Sequence, residues 1–288
     1  MDIKNIPVRV IGPGSQPGID EDENLEYMHM PSDMAKYTPP LMPDPEEVQH
    51  LDGAREAMDW LRASLADYQP GSKPMVADLS ALNDECRALV NQILGEGEVS
   101  ITCDGSGTAR TQESVLAGVW RTLYLDANDK VICDLLEVAD VPHVFEQCKQ
   151  AGQPINTSSD GVADTLSNAL PILVELEASC DRYNSLGNTH TINMTLLPLS
   201  DEELEFLDQR LGRGPIDILS RAYGRCQIIS TGTRDVWWVR HYNSMGILIL
   251  NLLEVVSVPE IVGAAAEDLA DSAQRLNDIL APYWSEVA

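Results

Sequence analysis

Two glycines in Leu94-Gly95-Glu96-Gly97 stand between a helix-like run and a strand-like run, the kind of place where a phosphate cradle is sought. A Walker loop requires Gly-x-x-x-x-Gly-Lys-Ser/Thr, so that an ammonium and a metal-binding hydroxyl meet the phosphates. Here glutamates follow the glycines and no lysine does. A dinucleotide fingerprint runs strand, glycines, helix, which sets the anion on the positive end of the helix dipole. This chain runs helix, glycines, strand, so the glycines lie at the wrong end for an anion. They read instead as a helix C-terminal cap, where glycine takes a left-handed backbone at least cost.

The thiols and imidazoles are dispersed. No two of Cys86, Cys103, Cys133, Cys148, Cys180 and Cys226 lie within five positions of each other, and no His-Glu-x-x-His is present. Zinc, thioredoxin-like and bacterial ferredoxin spacings are therefore missing, and no cofactor is expected. A metal or iron–sulfur carrier would need Cys86, Cys103, Cys133 and Cys226 to converge in space. No Gly-x-Ser-x-Gly elbow occurs, and with 46 acidic residues a pair of carboxylates singles out nothing. The residues thus point to binding, not to catalysis.

The charge says what can be bound. Nineteen Lys and Arg against 46 Asp and Glu give a net charge of −27. Nucleic acid needs a basic footprint, so DNA and RNA are excluded as partners. An acidic field favours solubility and cationic partners, basic peptides among them. No apolar run reaches about 18 residues, and the start MDIKNIPVRVIGPG lacks the apolar core of a signal peptide. The scattered cysteines fit a reducing compartment, so the expected location is cytoplasmic, without membrane insertion.

The elements that must position these residues come in duplicate. Leu94-Gly95-Glu96-Gly97 is echoed by Leu211-Gly212-Arg213-Gly214, an offset of 117 residues. The same shift carries Val119-Trp120 onto Val236-Trp237 and Leu135-Leu136-Glu137-Val138 onto Leu252-Leu253-Glu254-Val255. Without gaps, residues 75–145 and 192–262 share 19 of 71 positions, where composition alone gives about four or five. Each copy reads as an amphipathic helix (46–68 and 164–183), a short strand, and a helix of about eleven residues. Strands ending in Leu-Leu-Glu-Val follow. Asn83 caps the eleven-residue helix of copy one, and Ser200-Asp-Glu-Glu203 is a capping box in copy two. A last helix is expected over 264–281.

The expected fold is therefore α+β: two tandem pseudo-symmetric repeats, each a mostly antiparallel sheet with flanking helices, plus an extended N-terminal arm. The arm covers residues 1–45, with eight prolines, five methionines and the acidic run Asp20–Glu23. Half one spans 46–150, a Gly/Ser/Asn/Asp-rich linker 151–163, and half two 164–288.

Six residues stand out for partner contact. Trp120 and Trp237 hold equivalent strand positions and read first as core, second as docking surface. Trp238 and Arg240 follow in copy two, and Trp238, without a counterpart in copy one, is the better docking candidate. Glu96 and Glu98 flank the first glycine pair, and copy two has Arg213 and Pro215 there. Glu137 and Glu254 read as sheet-end ion pairs with Arg121, Arg234 or Arg240, or as a shared partner site. Gly246-Ile-Leu-Ile-Leu carries no assignment.

The motifs LGEGEVS, GVWR, LPLSDEELEFLDQRLGRGPIDI, TRDVWWVRHYN and VPEIVGAAAEDLADSAQRL, with IGPGSQP near the start, resemble the HupH/HyaF family of hydrogenase expression proteins over nearly the whole chain. The resemblance implies a cytoplasmic accessory chaperone in [NiFe]-hydrogenase maturation. It would bind the iron–sulfur small-subunit precursor before twin-arginine export, beside a thioredoxin-like HyaE/HupG-type protein. It implies no catalytic residues. An iron–sulfur or metal carrier for the same hydrogenase is the alternative, weakened because Glu203 and Ser220 replace Cys86 and Cys103 in the second copy.

Overall fold

One order of helices and strands is used twice in the computed structural model, which describes residues 43–105, 107–148, 152–221 and 224–284. The arm expected over 1–45 lies outside these apart from its last three residues. The first copy runs α1 (Pro45–Val48), α2 (Asp52–Asp67), β1 (Met75–Asp78), α3 (Asp84–Leu94), β2 (Val99–Asp104), β3 (Thr108–Glu113), β4 (Val119–Leu125), β5 (Val131–Val138) and α4 (Val144–Cys148). The second runs α5 (Ala169–Leu186), β6 (His190–Asn193), α6 (Asp201–Leu211), β7 (Arg213–Ser220), β8 (Arg225–Thr231), β9 (Val236–Tyr242), β10 (Leu248–Val255) and α7 (Ala266–Leu280). The offset of 117 carries α3 onto α6, β4 onto β9 and β5 onto β10 with both ends matching.

The two halves share a single ten-stranded sheet, in the order β1-β5-β4-β3-β2-β7-β8-β9-β10-β6, with every neighbouring pair antiparallel. They meet where β2 pairs with β7, Ile101 opposite Ile218. Each of these strands would otherwise end its own half as an open edge, a row of unpaired N–H and C=O groups. Pairing them removes both edges. It also buries Val99, Ile101, Cys103, Ile216 and Ile218 in a core that spans the joint.

Both glycines of the repeated motif have distinct reasons. Gly95 and Gly212 end α3 and α6 with φ of 56° and 64°, as a cap requires, but their ψ values of −162° and 178° are extended. That region is open to glycine almost alone, and it turns the chain from helix straight into strand. The second glycine gives room. A Cβ on Gly97 would lie 2.1 Å from the Ser114 carbonyl oxygen, and one on Gly214 2.5 Å from that of Thr231. Backbone cannot yield there, so Gly97→Ala is expected to cost about 2–4 kcal/mol by overpacking. Gly105→Ala, with nothing within 4 Å of its Cβ, is the near-neutral control in the same urea titration.

The helix starts follow their caps. Asn83 Oδ1 accepts from Cys86 N at 2.8 Å, and Ser200 and Glu203 form both bonds of the capping box. Pro171 sits in the first turn of α5, where a missing N–H costs nothing. The expected helix at 46–68 is broken into α1 and α2.

The tails of the copies cross over. Helix α7, from the second copy, packs on the first: Ser272 Oγ donates to Ala117 O at 3.0 Å, and Leu269 fills the space over Gly118. The offset carries α7 onto 149–163. The described part of that stretch, read from sequence as a linker, packs instead on the second copy. Gln153 N donates to Gly232 O at 2.8 Å, Arg210 Nη1 to Asn156 O at 3.0 Å, and Ile155 joins the second core.

Helix α4 lies across the joint. Phe145 meets Trp237 with ring centroids 6.0 Å apart, and Cys148 is disulfide-bonded to Cys103. Two of the dispersed cysteines are thus joined across 45 residues, a loop closure worth about 4 kcal/mol in the chain-entropy account and a departure from the free thiols expected of a reducing compartment. No helix among the described residues is long and apolar enough to cross a membrane.

Candidate functional site

Strand parity sorts the candidate residues onto two faces of the sheet. Trp120 opposes Glu137 and Trp237 opposes Glu254, so these four share one face, that of α4. Arg121 and Trp238 point to the other. Trp120 is fully buried and donates from Nε1 to Ala139 O at 2.9 Å, and Trp237 repeats the bond to Val256 O at 2.9 Å. Both indoles lock a strand to the chain segment beyond the hairpin, and neither offers a ring to a partner.

The ion pairs expected for Glu137 and Glu254 are not formed, and parity is the reason. Glu137 faces away from Arg121 and accepts from Thr122 Oγ1 at 2.6 Å and from His143 N at 2.8 Å. Glu254 faces away from Arg240. Its counterpart of Thr122 is Val239, and desolvation, with Glu260 beside it, raises its pKa. Arg234 pairs with Asp235 at 3.3 Å.

On the opposite face the copies differ. Arg121 makes a two-pronged pair with Asp134, at 2.8 and 2.7 Å, and Asp134 is buried. The matching place in copy two holds Trp238, whose Nε1 donates to Asn251 Oδ1 at 2.6 Å, with the Arg240 guanidinium 4.6 Å from the ring centroid. Trp238 is buried under α5 and α6, which corrects its reading as a docking residue. The lone tryptophan plugs a core, and its missing counterpart reflects the polar pair at that place in copy one.

Glu96 and Glu98 are exposed at the turn from α3 into β2, and Arg240 is half-buried. Beside Glu98, burial raises the Glu113 carboxyl to about 7, and the charge of Glu98 adds to the rise. A raised acid stabilises the native state below its unfolded pKa and loses that contribution as pH climbs through the native value. Relative to Glu113→Gln, the wild-type chain is expected to lose about 2 kcal/mol of unfolding free energy between roughly pH 4.5 and 7.5. Paired urea titrations across that range check it.

An exposed apolar surface that the motifs did not mark lies at the far end of half two. The β9–β10 hairpin tip carries Met245, Ile247, Leu248 and Ile249, exposed at 80%, 55%, 42% and 55%. Next to its stem a short turn, Met194–Leu196, continues from β6, with Thr195 Oγ1 accepting from Asn251 N at 2.7 Å. That turn adds Leu196 and Leu197, exposed at 79% and 39%. Single exposed apolar residues are ordinary, and several gathered around one hairpin tip and the turn beside its stem make a candidate interaction surface. The copy-one hairpin has Asn128 and Lys130 where copy two has Met245 and Ile247. The comparison of copies marks these two positions alone, since Leu248 and Ile249 have exposed apolar counterparts in Val131 and Ile132. Asp201 and Glu202, both exposed, follow Leu197 by a few residues.

The described cysteines do not converge. Cys86 lies on α3, Cys133 on β5 and Cys226 on β8, while Cys103 is bonded to Cys148. Among the described residues no group of three or more His, Cys, Asp or Glu is placed to hold a metal ion.

Comparison with known proteins agrees with the duplication. The family model for the HupH hydrogenase expression protein, C-terminal conserved region, matches twice, over residues 52–165 and 166–283. Hydrogenase expression/formation protein HoxQ of Cupriavidus necator is 39% identical over 276 residues, covering 96% of each chain. Hydrogenase-1 operon protein HyaF of Escherichia coli is 32% identical over 274 residues, covering 94% of each. A solved structure of hydrogenase expression protein HupH from Thiobacillus denitrificans is 32% identical, covers 40% of this chain and 95% of its own, and has a TM-score of 0.38. With two tandem matches to one model and relatives 32% and 39% identical over 94% and 96% of the chain, the chain belongs to the HupH/HyaF/HoxQ family of hydrogenase expression/formation proteins.

Proposed function

We propose that this hydrogenase expression/formation protein is a maturation chaperone that binds the iron–sulfur small-subunit precursor of a [NiFe]-hydrogenase before twin-arginine export. The exposed apolar group at Met245, Ile247, Leu248 and Ile249, flanked by Leu196 and Leu197, carries this reading. An export signal pairs basic residues with an apolar stretch. An apolar patch on a chain of net charge −27 complements both, the charge speeding encounter and the patch prolonging residence. A thioredoxin-like accessory protein of the HyaE/HupG type is the proposed second partner.

Co-purification of the full chain with the small-subunit precursor, with and without its signal peptide, tests the proposal. Recovery of the precursor is expected, reduced when the signal is removed. Equal recovery of both forms would rule out the signal as the main epitope. Recovery of neither, in cells where the accessory proteins are present, would overturn the function.

A further inference from the structure

On the sheet face opposite α4, beside α3, the first half holds a cavity of about 630 Å³, within the range of small-ligand sites. Its polar lining includes Arg87 from α3, Thr102 from β2, Arg110 and Gln112 from β3, Arg121 from β4 and Asp134 from β5. At the same offset the second half has Leu204, Leu219, Gln227, Ile229, Trp238 and Asn251. None of the three arginines is retained, and the buried Trp238 occupies the matching place. The second half therefore serves as an internal control: this scaffold folds with the site plugged, so packing does not require a cationic cavity.

Two of the three arginines converge on one carboxylate at the floor, while the third is paired at the rim. Asp134 takes both Arg121 prongs and also has Arg87 Nε at 3.7 Å, so two guanidiniums share one buried carboxylate. Arg87 Nε makes no hydrogen bond. At the rim stand Arg110, 3.5 Å from the exposed Asp129, and Glu96. Holding a guanidinium–carboxylate pair out of water costs desolvation that an apolar plug avoids. The first half keeps that costly arrangement, within a chain that is otherwise strongly acidic.

We propose that this cavity is a binding site for a carboxylate, received against Arg121 and Arg110 with the Thr102 hydroxyl beside it, and that the second copy has lost the site through Trp238. The carboxylate belongs either to a small organic acid or to a peptide, as an acidic side chain or a free C-terminus. The site lies in the other half from the apolar hairpin and stands independently of the small-subunit reading.

The test titrates the full chain, by chemical-shift perturbation, with glutarate, with Ac-Ala-Glu-Ala-amide, with Ac-Ala-Ala-Ala carrying a free carboxylate, and with Ac-Ala-Ala-Ala-amide. At least one carboxylate probe is expected to bind in the millimolar range, with the uncharged amide inert, and the preferred probe identifies the source. Arg110→Gln, an exposed change to the residue copy two uses, should weaken binding about tenfold, the scale of one charge-assisted hydrogen bond. Arg121→Trp with Asp134→Asn, the copy-two pair, should abolish it. Should that double variant not fold, Thr102→Leu serves as the filling change. Absence of binding by every carboxylate probe, or binding unchanged in Arg110→Gln and the filled variant, would overturn the proposal.

Discussion

Replacing Met245, Ile247 and Ile249 together by serine is expected to weaken binding of the small-subunit precursor about 100-fold while leaving the fold intact. Full burial of an apolar side chain of this size contributes about 1.5–3 kcal/mol. These three are only partly covered in any docked state, so about 1 kcal/mol each is a fair share, and about 3 kcal/mol is two decades in affinity. Their exposure in the free chain is why stability should hold: they cover no core. The loss should fall mainly on dissociation, because encounter is set by the charge of the whole chain. Raising salt should act the other way, slowing association of wild type and variant alike. Surface-bound precursor with the chain as analyte separates the two rates. An unchanged dissociation rate in the triple variant would remove this hairpin from the interface.

The second large effect concerns stability. Asp134→Ala is expected to cost about 3 kcal/mol, since removing one member of a buried pair leaves the other charge without compensation. Arg121 loses both of its hydrogen-bond acceptors, and Arg87 loses its ion-pair partner at 3.7 Å while keeping its bond to Leu82 O. Both are partly exposed, which keeps the figure at the lower end of that range. Arg121→Trp combined with Asp134→Asn should recover most of the loss, because the Trp238 Nε1 bond to Asn251 Oδ1 already works at the same place in half two. The comparison is a urea titration of three chains: wild type, Asp134→Ala and the double variant. A double variant as unstable as Asp134→Ala would show that the two halves are not interchangeable at this position, and that surrounding packing differs more than the shared strand frame suggests.

Much of the frame was legible because duplication multiplies weak signals. The echo of Leu-Gly-x-Gly marked the helix-to-strand turn twice, and a strand ending in Leu-Leu-Glu-Val was marked twice. Caps at Asn83 and Ser200 were readable because capping depends on neighbours within one turn. Pairing of β2 with β7 was not readable. Alternation of apolar residues shows that Ile101 and Ile218 face a core, but not which strand closes each edge. The crossing of α7 onto the first half was hidden for the same reason: amphipathicity states that a helix packs, not on what.

The candidate site was less legible, and its errors share one cause. Arg121 and Trp238 sit one residue from Trp120 and Trp237 respectively, and one residue on a strand means the opposite face. Glu137 therefore cannot reach the arginines that sequence alone suggests for it, and Trp238 lies in the core beneath α5 and α6, not at the surface. Met245 and Ile247 lie beside and in a stretch, Gly246-Ile-Leu-Ile-Leu, where the family resemblance varies and assigns nothing. Only the contrast with Asn128 and Lys130 shows that their apolar character is peculiar to one copy.

Site-specific photocrosslinking gives the most direct test of where the partner sits. A photoreactive residue is placed at Ile247 on the second-half tip, and in a separate chain at Lys130, its first-half counterpart, with both chains expressed beside the small-subunit precursor. Docking at the second-half tip predicts a crosslink to the precursor from position 247 and none from 130. A crosslink from 130 alone, or from neither position while the complex still co-purifies, would contradict it.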